Sequence, residues 1–324
     1  MATEKVKFAV MADLHHEIMN DGMRRLEAFL DGARKADVDF IIHLGDFTYP
    51  QDTSVSYCNP EKMPENVKNA YIYGMVQSSK EVIEKYNSFE KPHYHVMGNH
   101  DFDFLSVEET VKMYDMKANY YSFHKNGWHF IVIDGNYIKT EDGKYEHYNH
   151  GHYFYKDLPY INDEQLEWLK KELADNDEPV CMFSHPALYK FSGGIKNYRD
   201  FEKIIEDAKA RGKKIRICMN GHNHVDVLAE KNNTLYYTLN SISNMWVGED
   251  FEAVRYCEKT EKLYPNLKYT IPYATPIYAI VEMDDDGIKV IGKNGRYVQP
   301  GPKKIGFKDL ISPSIKSFEK KWKD

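Results

Sequence analysis

The amino-acid sequence predicts an α/β protein whose first strands run parallel. Three observations lead there. Short apolar runs stop abruptly at polar clusters, amphipathic helical stretches separate those runs, and a strand–helix–strand–helix–strand opening is the pattern that parallel strands require.

The elements follow in order. "VKFAVMADLHH" (6–16) reads as a buried strand ending near His15 or His16. In "DGMRRLEAFLDGARKA" (21–36), Met23, Leu26, Phe29 and Leu30 recur at helical spacing. "VDFIIHLGD" (38–46) is a second strand, the stretch from Pro64 to Phe89 a long helix, and "KPHYHVMGNHD" (91–101) a third strand. "YYSFHKNGWHFIVID" (120–134) reads as a hairpin turning at Lys125, Asn126 and Gly127. "NDEQLEWLKKELADN" (162–176) is an amphipathic helix with Asn162 as N-cap. Strand "EPVCMFSHP" (178–186), a helix closed by Gly212 and strand "IRICMNGHNH" (215–224) come next. Two hairpins follow, turning at Asn232-Asn233 and at Asp286-Gly287. Residues 135–161 and 244–275 fit no regular pattern and are rich in tyrosine and charge; loops of that length are more often functional than not. The tail from about Gly295 to residue 324 carries Pro300, Gly301, Pro302 and Pro313 and then reads as a short basic helix. No linker divides the chain, so residues 1–324 are expected to form one domain.

Composition narrows the function. The 324 residues, 42% hydrophobic, suffice for a sizeable core, and a net charge of −7 with 29% charged residues describes a mildly acidic protein. That balance offers no general attraction to a nucleic-acid polymer, so an anionic substrate would need local positive charge, which a metal supplies compactly. Cys58, Cys181, Cys218 and Cys257 form no CxxC pair; Cys181 and Cys218 lie in apolar runs and are expected to be buried thiols. With no signal-peptide pattern and no stretch long enough to span a membrane, a cytoplasmic location and no membrane partner are the expectations.

The strand ends carry the chemistry. The first gives Asp13 and His15, the second Asp46 after Gly45, the third Asn99, His100 and Asp101; later strands end at His185 and at His222 and His224. Ligands in open α/β sheets collect at the carboxyl ends of strands, which would bring these residues into one cleft. Four imidazoles, two carboxylates and an amide oxygen form an N/O donor set too large for one first-row ion. A histidine at one strand end is commonly just a satisfied polar residue; five strand ends carrying ligand types are not explained that way.

"DLH", "GD", "GNHD", a lone "SH" and "GHNH", in that order from Asp13 to His224, resemble the calcineurin-like metallophosphoesterase superfamily. The resemblance implies a four-layer α/β/β/α sandwich of two mixed sheets with two divalent or trivalent metal ions, Mn, Fe or Zn. Carried over residue by residue, one ion would take Asp13, His15, Asp46 and His224. The other would take Asp46, Asn99, His185 and His222, with Asp46 bridging. His100 would be the catalytic or phosphate-contacting histidine and Asp101 would orient it. The implied reaction is hydrolysis of a small-molecule phosphoester by hydroxide held between the ions.

Departures from the pattern sharpen the substrate class. Protein Ser/Thr phosphatases of this superfamily carry "GDxxDRG" and "GNHE"; this chain has "GDFTYPQ" and "GNHD" and lacks that arginine. "GDFTY" matches the "GDxxY" of purple acid phosphatases, whose tyrosine binds ferric iron. Those enzymes have glycine where this chain has His15, so Tyr49 is expected to pack or line the cleft instead. "DxH" with "GNHD" is most similar to the phosphodiesterase-type branch, which implies a small phosphodiester of nucleotide or glycerophosphodiester type, and the aromatic residues of 135–161 and 244–275 could stack a base or wall the cleft. A phosphomonoesterase of acid-phosphatase type is the alternative, and a non-catalytic scaffold on the same fold the third reading. His147, His150 and His152 are read as pocket or solvent residues. His16 is read as a neighbour of the cleft, facing away from His15 if the strand stays extended.

Overall fold

Alternation along the first strand, β1 (Val6–Met11), builds two cores at once. Val6, Phe8 and Val10 face a second sheet, while Ala9 and Met11 face helices on the opposite side. The structure, a computed structural model, describes residues 3–49, 65–148, 159–308 and 311–323.

β1 pairs in parallel with β2 (Phe40–Leu44), and β2 with β3 (His93–Val96). The connections are the predicted helices, α1 (Gly22–Ala36) and α2 (Glu65–Asn87). Leu26, Phe29 and Leu30 of α1 meet Val82, Ile83 and Tyr86 of α2 and Ile41 of β2 in one apolar layer. Asp37 ends α1 in the left-handed conformation (φ 50°), where aspartate is tolerated better than a branched residue. Further along, α3 (Val107–Met113) opens with a capping box, Ser106 accepting from Glu109 N–H and Glu109 accepting from Ser106 N–H.

The second sheet starts from the hairpin β4 (Tyr121–Lys125)–β5 (Trp128–Ile133). The two short strands β6 (Tyr137–Lys139) and β7 (Tyr145–His147) pair with each other. Helix α4 (Asp163–Glu172) has the expected cap, Asn162 Oδ1 accepting from Gln165 N–H at 3.1 Å. It leads to β8 (Val180–Ser184), which lies parallel to β5 and, across α5 (Tyr198–Ala210), parallel to β9 (Ile215–Asn220). The hairpin β10 (Val227–Lys231)–β11 (Thr234–Thr238) turns at Asn232 and Asn233, both at positive φ, as expected. β11 runs parallel to β9, giving the order β10-β11-β9-β8-β5-β4.

Beyond lie β12 (Asn244–Trp246), α6 (Glu258–Leu263) and β13 (Thr270–Pro272), with β12 and β13 paired. β14 (Ala279–Met283) and β15 (Gly287–Ile291) return to the first sheet beside β1. Their turn spans Asp284 to Gly287, so Gly287 opens the strand rather than sitting inside the turn. The tail differs from expectation: in place of a basic helix, β16 (Phe318–Lys321) pairs with β15. Phe318 and Trp322 pack on the core, and Glu319, Lys320 and Lys321 face solvent, a charged edge that discourages further strand pairing. The first sheet therefore reads β16-β15-β14-β1-β2-β3.

Phe8, Phe40, Phe130 and Phe183 interlock between the sheets, with Phe8 stacked on Phe40 at 4.8 Å and edge-on to Phe183 at 5.8 Å. A third layer, including Met182, Leu169, Phe201 and Ile205, seals the second sheet under α4 and α5. Helices, sheet, sheet, helices: this is the four-layer sandwich. Cys181 and Cys218 are buried free thiols, one facing each side of the second sheet. Both stretches expected to be irregular hold short strands, 135–161 through β6 and β7 and 244–275 through β12 and β13. His150 and His152 lie outside the described residues.

Candidate metal centre

The carboxyl ends of β1, β2, β8 and β9 meet at one edge of the sandwich and place six ligand-type side chains in two groups. Ligating atoms of Asp13, His15 and His224 lie within 4.8 Å of one another, as do those of Asp46, His185 and His222. Asp46 stands between the groups: its Oδ2 is 3.1 Å from His185 Nε2 and 3.7 Å from His15 Nε2. Asn99 is buried and lines the same cleft with His100.

Backbone conformation, more than strand alternation, achieves this convergence. Extended geometry predicts that Asp13 and His15 point together. They do converge, but β1 ends at Met11, and both residues are left-handed, at φ 53° and 49°. Asp46 (48°), His222 (70°) and His224 (52°) share that conformation. It is uncommon outside glycine, and Asp, Asn and His tolerate it best. Each ligand thus sits on a sharp bend just past its strand. The bends brace one another, since Asp13 N–H donates to Gly45 O and His15 N–H to Asp46 O, both at 3.0 Å. Gly98 is needed for close approach: a Cβ there would fall 2.1 Å from the Asp46 nitrogen.

The donor set suits a pair of metals. Among the described residues neither buried ring nitrogen of His15 has a hydrogen-bond partner, a costly arrangement unless something else binds there. His185 Nδ1 donates to Leu44 O at 2.7 Å and His224 Nδ1 to Asn244 O at 2.8 Å, which turns Nε2 of each toward the cleft. His222 instead presents Nδ1, 3.1 Å from His185 Nε2.

Electrostatics agree. Burial favours a neutral Asp13, but the imidazoles of His224 and His15 beside it outweigh burial and hold the carboxyl well below its ordinary range. Asp46 is likewise held low against burial, chiefly by His185 and His100. Burial depresses His15 and His222 to about 4, keeping both imidazoles neutral and able to ligate. His185 resists burial because Asp46 faces it, and rises to about 9.

His100 lines the cleft beside Asp46, whose Oδ1 accepts from His100 N–H at 2.9 Å. The orienting carboxylate is not the expected one. Asp103 Oδ2 meets His100 Nδ1 at 3.0 Å, whereas Asp101 accepts from Phe47 N–H, Thr48 N–H, Thr48 Oγ1 and Tyr114 Oη through one oxygen and from Gly98 N–H through the other. Asp101 therefore pins the Asp46 loop to the Asn99 loop. The residues sit in a short 3-10 turn, Asn99–Phe102, so the side chain three positions on, not the adjacent one, comes round beside His100. Burial opposes charge on His100, but Asp103 and Asp46 prevail and raise its pKa.

Tyr49 is buried, its ring 3.8 Å from that of His100 and 5.3 Å from that of His15. Burial pushes its hydroxyl well above the usual pKa, which suits packing rather than a tyrosinate. His16 does not line the metal cleft; it packs against Gly22 at the start of α1, beside a neighbouring groove. His147 is buried against Asp134 at 2.9 Å.

Two sets of supporting residues escaped the sequence reading. Ile242 N–H, Ser241 Oγ and Ser243 Oγ donate to three consecutive carbonyls, Ala12, Asp13 and Leu14, at 2.9, 2.9 and 2.7 Å. With the Asn244 carbonyl on His224, residues 241–244 cradle the whole first group. A run of small polar residues, "NSISN", directly after a strand was the available signal. Beneath Asp46, Gly45 N–H donates to His43 Nδ1, so His43 Nε2–H donates to His95 Nδ1 and His95 Nε2–H to Asn87 Oδ1, at 3.2, 2.7 and 2.8 Å. Both imidazoles are buried and held below their ordinary pKa by that burial, His43 at about 3.

A profile of the calcineurin-like phosphoesterase family matches residues 6–226. No match to a curated protein sequence is found. The fold is similar to that of a dimetal phosphatase from Danio rerio, at a TM-score of 0.61 and 13% identity over 90% of this chain and 98% of that one. It is also similar to GAP50, the anchor in the inner membrane complex of Plasmodium, at 0.54 and 14% over 99% and 90%. A putative 5'-nucleotidase from Staphylococcus aureus gives 0.50 and 13%, over 91% of this chain and 54% of that one. At such identities the structural likeness shows the fold alone. It is the sequence profile, spanning every ligand-bearing strand end, that places this chain in the calcineurin-like phosphoesterase family.

Proposed function

We propose that the protein hydrolyses a small phosphodiester at a two-metal centre. The observation that carries this reading is the complete donor set: two convergent groups with Asp46 between them and a histidine beside them. When bound, two such ions supply positive charge for the phosphoryl oxygens and a water acidic enough to attack at neutral pH. Asp13 and Asp46 stay ionised and His15 and His222 stay neutral, so these four meet the ions in ligating form, whereas His185, raised to about 9 by Asp46, would give up its proton on binding. Asp103 fixes the His100 ring and favours its protonated state, which equips Nε2 to stabilise charge or give a proton to a departing alkoxide.

Two features favour a diester. "DxH" and "GNHD" are similar to the phosphodiesterase-type branch. Among the described residues no lysine or arginine lines the cleft to share a monoester's second charge. The test compares bis-p-nitrophenyl phosphate with p-nitrophenyl phosphate in the presence of Mn²⁺. Faster turnover of the diester is expected. Preference for the monoester would make this a phosphatase, and no turnover of either with any divalent metal would favour a scaffold.

A further inference from the structure

One side chain at the cleft mouth is not used by the ligand set. Trp246 is 39% exposed, one of few large hydrophobic residues left open to solvent among the described residues. It lines the metal cleft, and its ring lies nearly parallel to that of Tyr49, 6.1 Å between centroids and 24° between planes. Tyr49 in turn packs on His15 and His100. The rings form a row from partly exposed Trp246 through Tyr49 to His15 and His100.

Trp246 is tied to the candidate ligands through its own strand. β12 is three residues long: its first residue, Asn244, grips His224 through the carbonyl, and its last is Trp246. Pairing with β13 sets Trp246 opposite Thr270, and Val247 N–H and Gly248 N–H both donate to Tyr269 O. Met245 and Ile311 line the same cleft beside it. A flat group on Trp246 therefore sits beside a phosphate held by the metal centre.

We infer that Trp246 is a stacking platform for a planar aromatic ester group of the substrate, so that the diester cleaved is one carrying a nucleobase or aryl substituent. This rests on the phosphoesterase reading above. Aromatic stacking is sequence-tolerant and desolvates one ring face without needing a hydrogen-bond partner, which suits an exposed indole on the lining of the cleft.

The experiment has two arms. In the first, Mn²⁺-loaded protein is titrated with AMP and with ribose 5-phosphate while tryptophan fluorescence is followed. AMP should quench and ribose 5-phosphate should not, and the quench should vanish in Trp246→Phe. In the second, kcat/KM is measured for bis-p-nitrophenyl phosphate and for glycerophosphocholine. In Trp246→Ala the ratio of the two should fall by roughly 5- to 150-fold, mainly through KM, the range expected for losing one stacking contact; Trp246→Phe should recover part of it. Circular dichroism checks that both variants fold. Equal quenching by both phosphates, no quenching by AMP, or an unchanged ratio would overturn the platform. If the wild type cleaves neither diester, the phosphodiester reading fails, and the fluorescence arm still decides whether Trp246 stacks a base.

Discussion

Asp103 Oδ2 lies 3.0 Å from His100 Nδ1, three residues along one short turn, and it is this carboxylate that raises the histidine's pKa. Asp101, adjacent in sequence, is committed to five donors elsewhere. The two aspartates should therefore fail differently. Asp103→Asn should lower kcat by about 10- to 100-fold, the usual cost of losing an orienting partner, with metal content unchanged. Asp101→Asn should chiefly lower the melting temperature, because it weakens the tie between two ligand loops. Steady-state kinetics with metal analysis on both variants checks the split; a silent Asp103→Asn would remove the dyad.

Asp46 faces both groups of ligands, whereas His100 is a neighbour to them. Asp46→Asn should deplete both metals together. His100→Gln should retain both and lose rate, by about 10²- to 10⁴-fold if it acts as an acid–base group. His15→Asn should cost one metal, and His16→Asn none, since His16 packs beside α1. Elemental analysis after dialysis reads all four.

The serine cradle gives a subtler outcome. Ser241→Ala or Ser243→Ala removes one hydroxyl from a carbonyl of the Asp13–Leu14 bend without touching a ligand. Affinity for the more weakly held metal should drop by about 10- to 100-fold. Competition with a chromogenic chelator measures it, and unchanged affinity in the double variant would show that the bend holds its shape unaided.

The His43–His95 relay predicts an acid limit on stability. Unfolded histidines take up protons near pH 6.5, whereas folded His43 refuses them until about 3, and His95 is shifted the same way. Their contribution is therefore intact above about 6.5 and is lost progressively as pH falls toward the folded values, by about 1.4 kcal/mol per pH unit for His43. His43→Leu with His95→Leu should be less stable at pH 7, where Gly45 N–H loses its acceptor, yet show a flatter decline between pH 6.5 and 5. Urea melts across that range test it; an unchanged slope would assign the acid limit to other groups.

Much of this was legible in the chain itself. The candidate ligands stood out because each ends an apolar run, and the helix cap at Asn162 and the turn at Asn232-Asn233 follow from local chemistry. What local chemistry could not give is contact at long range. The Ser241 and Ser243 bonds span more than 225 residues, and His43 and His95 look like ordinary strand residues until the parallel register sets them side by side. The tail misled for a related reason: a basic stretch suits a helix or an edge strand equally, and β15's open edge decided between them.

The left-handed bends have a consequence for how such a site can change. At Asp13, His15, Asp46, His222 and His224 the backbone admits few residue types comfortably, and coordination admits nearly the same few. Alanine at any of them would remove a donor and strain the chain together, so an alanine scan would mix two losses. Glycine separates them, discarding the donor while admitting the bend, and asparagine keeps the bend with a weaker, uncharged donor. Drift along that route would silence the chemistry and leave the shape, turning a hydrolase into a binding surface without first passing through an unfolded intermediate.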